Sequence, residues 1–163
     1  MTGVTTCTIN GDGSLSACSK NAGSGTAGIV AGASYAYVSG GGSTVNVCAI
    51  GAGGALSSCA ATGSGFSSAD GMSLAGGYAY VSNQANGTVS ACTINVDGTL
   101  SGCAASSVGG APTDVVINGS YAYVDDRYGN IFLCTVGSGG ALTNCAVSNG
   151  GTAFNLGIQL AIH

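Results

Sequence analysis

TVSACTINVDGTLSGC, residues 88–103, places two short strand-like runs on either side of Asp97-Gly98, with Cys92 and Cys103 separated by 11 positions. Asp-Gly suits a two-residue type I′ turn, whose two central residues both need positive φ. A hairpin turning there carries one cysteine on each arm, with the two Cβ atoms within disulfide reach. The arrangement recurs three times: Cys7 and Cys18 around Asp12-Gly13, Cys48 and Cys59 around Gly53-Gly54, and Cys134 and Cys145 around Gly139-Gly140. Successive couples follow at steps of 41, 44 and 42. This symmetry predicts one disulfide per hairpin: Cys7–Cys18, Cys48–Cys59, Cys92–Cys103 and Cys134–Cys145. Zinc and iron–sulfur sites need closely spaced Cys pairs or His partners, and neither occurs, so no metal is expected. Disulfides imply an oxidising compartment, hence a secreted or cell-surface protein.

Outside the hairpins the repeat has further landmarks. SYAYV or GYAYV returns at Tyr35, Tyr78 and Tyr121, a step of 43 each time. A short apolar run precedes each: Gly28-Ile29-Val30-Ala31, Gly71-Met72-Ser73-Leu74 and Asp114-Val115-Val116-Ile117. Each unit therefore has four strand-like segments, A to D, the last two forming the stapled hairpin. Four strands in a period of this length predict an all-β chain of β-propeller blades. Gly fills 31 of 163 positions and no helical stripe persists, which excludes helix over nearly the whole chain. We expect a single repeat domain over 1–163. It divides into strands C and D of a partial blade at 1–21, blades at 22–62, 63–106 and 107–148, and strand A of a partial blade at 149–163.

The sequence YAYVSN…GTVSACTI…DGTLSGC, with linkers such as ATGSGF at Ala61 to Phe66, resembles the YVTN-type and NHL-like bacterial β-propeller repeats, a group that includes lactonase-like proteins. The resemblance extends over essentially the whole chain and implies that YAYV is the second strand of each blade. It also implies rings of more blades than are present here. These motifs are framework elements, so they speak to the fold and leave the ligand open.

The charge content restricts partners. Only 5% of residues are charged; there is no Glu, and the cations are Lys20 and Arg127. A net charge of -4 with so few basic groups excludes a phosphate-binding footprint, so neither nucleic acid nor an anionic membrane surface is expected as a partner. No stretch is long and apolar enough for a transmembrane helix. Met1-Thr2-Gly3-Val4 shows no leader, so a mature form or a fragment is expected.

Chemistry is sparse. His163 stands at the end of the chain, a poor place for a triad base. Lactonase-like relatives imply acidic and basic residues in a central funnel, and no such set can be mapped from the residues alone. The one polar cluster is Asp125, Asp126, Arg127, Tyr128 and Asn130, which replaces the SNQANG or SGGGS loop of the other blades. It is the candidate ligand loop, to be weighed against a solvated turn with a local Asp–Arg pair. Calcium there would want more oxygen ligands than the loop offers. Asp12 and Asp97 fit turn chemistry, Asp70 and Asp114 are read as caps of the linkers, and the tyrosine pairs as packing. Asn86-Gly87-Thr88 and Asn118-Gly119-Ser120 match a glycosylation acceptor at chance level.

These readings converge on a non-enzymatic scaffold without cofactors. A carbohydrate-binding, lectin-like propeller is the first alternative and a lactonase-like enzyme the second. The expected partners are copies of itself in a head-to-tail oligomer or filament, the remaining blades of a longer propeller, or a glycan or surface protein.

Overall fold

A computed structural model describes residues 4–20 and 27–148. Among the described residues, fourteen antiparallel strands form a two-stranded sheet followed by three four-stranded sheets. The first sheet joins β1 (Thr5–Ile9) to β2 (Leu15–Lys20). The second is β3 (Gly28–Ala31), β4 (Tyr35–Ser39), β5 (Val45–Ile50) and β6 (Leu56–Thr62). The third is β7 (Ala69–Ala75), β8 (Tyr78–Asn83), β9 (Thr88–Ile94) and β10 (Leu100–Ser107). The fourth is β11 (Pro112–Asn118), β12 (Tyr121–Asp126), β13 (Ile131–Val136) and β14 (Leu142–Val147). Each four-stranded sheet is an up-and-down meander in chain order, which is the blade of a β-propeller. The first strands of successive sheets pack side by side, with β7 between β3 and β11. Among the described residues the sheets form an arc that does not close. The strand-A segment expected near Phe154 to Ile162 lies outside the described residues.

Packing occurs between sheets. One core gathers Tyr37, Val45 and Val47 of the second sheet with Met72, Val81, Cys92 and Leu100 of the third. The other gathers Tyr80, Val89 and Ala91 of the third with Val115, Val124, Cys134 and Leu142 of the fourth. A blade has two faces to bury, so apolar residues occupy both faces of its middle strands and the period-2 alternation is weak there. Glycine lets the inner strands close up. A Cβ on Gly28 would lie 2.8 Å from the Asp70 carbonyl oxygen, and one on Gly71 would lie 2.6 Å from the Thr113 carbonyl oxygen.

The hairpin loops depart from the two-residue turns expected. Ile94 pairs with Leu100, leaving residues 95–99 as a five-residue loop. In it the Asn95 amide donates to the Thr99 carbonyl and the Gly98 amide to the Asn95 carbonyl, both at 2.9 Å. Gly98 has φ +81, whereas Asp97 does not take positive φ. The Asp97 carboxylate instead accepts the Thr99 amide at 3.0 Å and the Thr99 hydroxyl at 2.6 Å. Asp12 holds Ser14 in the same way, at 2.9 and 2.6 Å. That loop length would set Cys92 opposite Gly102. A bulge between Ser101 and Ala104 restores the alignment of Cys92 with Cys103. In every hairpin the residue before the second cysteine turns to positive φ: Ala17 (+47), Ser58 (+50), Gly102 (+56) and Asn144 (+53). The four disulfides join Cys7 to Cys18, Cys48 to Cys59, Cys92 to Cys103 and Cys134 to Cys145, with Cα atoms 4.0 to 4.1 Å apart.

Candidate functional site

Where the first strands of the three full sheets meet, they enclose a cavity of about 500 Å³, lined along β3, β7 and β11. Its apolar part comes from Ile29, Val30, Met72, Leu74, Val115 and Val116, and its polar part from Asp70, Ser73, Thr113 and Asp114. The repeat explains how two carboxylates meet here. Counting by 43, Asp114 occupies the position of Gly28 and Gly71, while Asp70 occupies that of Ala27 and Thr113. The two acids are one step out of phase on adjacent strands. The Asp114 carboxylate fills the space over the Cα of Gly71 that a side chain would need.

Asp70 is half-buried and accepts the Gln84 amide at 3.3 Å. Burial pushes its carboxyl above the ordinary value, and the neighbouring Asp114 charge adds to the rise. Asp114 is buried and accepts the Val115 amide at 2.9 Å. Asp125 pairs in register with Asp114 on β12 and lies 3.5 Å from the Thr113 hydroxyl. Its carboxyl is also raised, by burial first and then by the charges of Asp126 and Asp114; the Asp126 amide and the Thr113 hydroxyl act in the opposite direction. The inner face is thus acidic, and among the described residues no basic side chain lines the cavity. Among the described residues no three His, Cys, Asp or Glu side chains converge as a metal ion requires.

The β12–β13 loop distributes its residues differently. Asp126 is fully buried, and its Oδ1 accepts the amides of Tyr128 (2.9 Å) and Asn130 (2.8 Å) while Asn130 Nδ2 reaches both carboxylate oxygens at 3.2 and 3.3 Å. These bonds hold the turn closed. Arg127 and Tyr128 are exposed. Asp125 turns instead to Thr113, so the structure brings Asp126 and Asn130 together with the Tyr128 amide, while the Asp125 carboxylate points elsewhere and the Arg127 and Tyr128 residues are exposed.

Asp70 and Asp114 are not linker caps. Asp70 lies within β7 and Asp114 within β11, both on the innermost strands. The signal was present in the repeat: Asp114 stands where two other blades have Gly, and Asp125 where they have Ser39 and Ser82. What was missing was the position of strand A at the centre of the arc.

No protein-family model matches the chain, and no curated protein matches it. Solved structures share the fold, an array of four-stranded antiparallel blades. A Bacteroides uniformis protein provisionally named a 6-phosphogluconolactonase superposes with a TM-score of 0.66 at 17% identity, over 86% of this chain and 48% of its own. Two computationally designed proteins also superpose. Ika4 gives 0.56 at 14% identity, over 83% of this chain and 78% of its own. Ika8 gives 0.52 at 15% identity, over 74% and 36%. At these identities the likeness is one of fold. The chain spans about half the length of the Bacteroides protein. The expectation of a non-enzymatic chain is contradicted by this comparison, since the fold is shared with a protein provisionally named a 6-phosphogluconolactonase. Four disulfides suggest an oxidising, extracellular setting, and no helix among the described residues is long and apolar enough to cross a membrane.

Proposed function

We propose that this chain is part of a secreted, lactonase-like propeller of the YVTN repeat type, and that its inner face binds and opens a neutral, hydroxyl-rich lactone ring. The observation that carries the reading is the meeting of Asp70 and Asp114 in a cavity that also presents the apolar side chains of Ile29, Val30, Met72, Leu74, Val115 and Val116. Carboxylates accept hydrogen bonds from sugar hydroxyls, and the apolar strand residues take the face of the ring. The acidic wall argues for a neutral ligand over a phosphorylated one, since none of the described residues lining the cavity is cationic. In the reaction, Asp70 takes a proton from a water that attacks the lactone carbonyl. The ring C–O bond breaks, the ring oxygen gains a proton, and a hydroxy acid forms. A carboxyl raised by burial suits a general base. The product is anionic and the acidic wall repels it, which favours release.

The test is proton release from a neutral aldonolactone, followed in a pH-stat against the uncatalysed rate. Turnover should fall roughly 100-fold or more in Asp70→Asn, and the phosphorylated lactone should be the poorer substrate. No turnover above background, together with no saturable heat of binding for the same lactone, overturns the proposal. A glycan-binding reading without turnover rests on exposed Tyr128 beside the Asp126–Asn130 turn. Glycan-array hits lost in Tyr128→Ala would favour it.

A further inference from the structure

The second Tyr of YAYV meets the hairpin loop of the next sheet, and the two such contacts between full blades differ in one bond. Tyr37 Oη donates to the Gly98 carbonyl at 2.8 Å. Tyr80 and Gly140 stand at the corresponding places of the next contact. Tyr80 is 2% exposed, yet its hydroxyl has no hydrogen-bond partner among the described residues. No fully sealed side-chain oxygen among them lacks a partner, so this hydroxyl reaches open space. The loop sequence explains the difference. In the third sheet Asn95 and Asp97 both hold the Thr99 hydroxyl, and Gly98 alone of residues 95–99 takes positive φ. In the fourth sheet Gly137, Gly139 and Ala141 stand at those positions and supply no such clasp, and Gly139 and Gly140 both turn to positive φ, +69 and +77. The backbone takes another course, and Tyr80 is left without the carbonyl that Tyr37 has.

A cavity of about 160 Å³ opens at this place, lined by Ala75, Tyr78, Tyr80, Ile117, Val136 and the glycine loop that includes Gly140. Apart from the two tyrosines, the described side chains around it are apolar or absent. It lies toward the other end of β7 from Asp70: the five residues from Asp70 to Ala75 span about 16 Å of strand. It is therefore separate from the acidic site and does not rest on the lactone reading.

We propose that this cavity binds a small ring carrying one hydroxyl, of the phenol class. The ring lies against Tyr78, Ile117 and Val136. Its hydroxyl accepts from Tyr80 Oη and donates to the Gly140 carbonyl, bridging the pair whose counterparts Tyr37 and Gly98 are bonded directly. An apolar cavity of about 150 Å³ accommodates a benzene ring, so the volume suits one ring. Tyr80 keeps its proton to donate, because burial first and then Tyr78 push its phenol above the ordinary value. A charged ligand would find no counter-ion among the described lining residues, and a sugar would set most of its hydroxyls against apolar walls.

Ligand-observed NMR titration of the oxidised chain with phenol should saturate, with a Kd of roughly 1 mM. Benzene, which lacks the hydroxyl, should bind about fivefold more weakly. Tyr80→Phe removes only the protein's hydroxyl; it should bring phenol to the affinity of benzene and leave benzene unchanged. Ala75→Leu fills the cavity and should abolish binding of both. Tyr37→Phe should leave phenol binding as in the wild type, since the Tyr37 hydroxyl is already bonded to Gly98. Circular dichroism and intact disulfides check that the variants are folded, and where Ala75→Leu does not fold, Tyr80→Phe decides. Phenol that does not saturate, phenol that binds no tighter than benzene, or Tyr80→Phe that binds phenol like the wild type each overturns the proposal.

Discussion

The chemistry of single residues depends here on small departures from the repeat. Asp70 and Asp114 are isolated acids in the sequence and neighbours in the fold, and their proximity sets how the protein responds to pH. Burial and the Asp114 charge raise the Asp70 carboxyl, so folding favours its protonated form. That contribution is present below the unfolded carboxyl pKa and is lost as pH rises through the folded one. Asp70→Asn keeps an acceptor for Gln84 and removes the charge. We predict that it raises the melting temperature near neutral pH and that the gain vanishes in acid, below the ordinary carboxylate range. Thermal unfolding at the two pH values checks this, and an equal change at both would contradict it. If Asp70 is the base of the proposed reaction, the same variant gains stability and loses turnover, the usual trade at a functional site.

At the scale of the element, the stapled hairpin is the unit that holds strands rich in Gly, Ala and Ser, which have low β-propensity. Its register is set by two features acting in opposite directions: a five-residue loop that displaces the arms by one position and a bulge that restores it. The disulfide at Cys92 lies at the centre of the inter-sheet core, where Cys92 is fully buried. Cys92→Ser with Cys103→Ser should lower stability by about 2–3 kcal/mol in denaturant titrations. The same pair of changes at Cys7 and Cys18 should loosen only the first hairpin, which among the described residues is a two-stranded sheet, and hydrogen exchange should localise the loss to Thr5–Lys20. A global loss of equal size at both sites would argue against this division.

Across the whole molecule, stability resides between blades, as in other repeat proteins whose units contact only their neighbours. The turn glycines report on it. Gly13 and Gly98 share nearly the same φ, +82 and +81, but only Gly98 carries a tyrosine ring against it. Replacement by Ala should therefore cost about 1 kcal/mol of backbone strain at either site. At Gly98 it should cost on the order of 1–3 kcal/mol more, because Tyr35 must move. Chemical denaturation of both variants at high dilution, where copies do not meet, measures the difference. Equal losses would mean that the ring contact contributes nothing.

The blade architecture was legible because it is local. Cysteines 11 apart around Asp-Gly or Gly-Gly, and YAYV returning every 43 residues, specify strands, hairpins and their repetition whatever lies beside them. The turn type was not legible. Asp97 and Gly98 suit a two-residue turn by composition, yet the Asp97 carboxylate is drawn to Thr99, and the longer loop that results is compensated by a bulge in the arm that follows it, between Ser101 and Ala104. The candidate site was less legible still. Asp70 and Asp114 become a pair because β7 and β11 lie side by side at the inner edge and Gly71 leaves room for a carboxylate. Period-2 patterning says which way a side chain faces within its own sheet; it does not say which residue of the next sheet stands opposite. The sequence by itself determined the sheets and their staples. The tertiary structure alone decided which faces are covered and where the acids meet, because inter-sheet distances of a few ångströms arise from packing and not from local backbone preference.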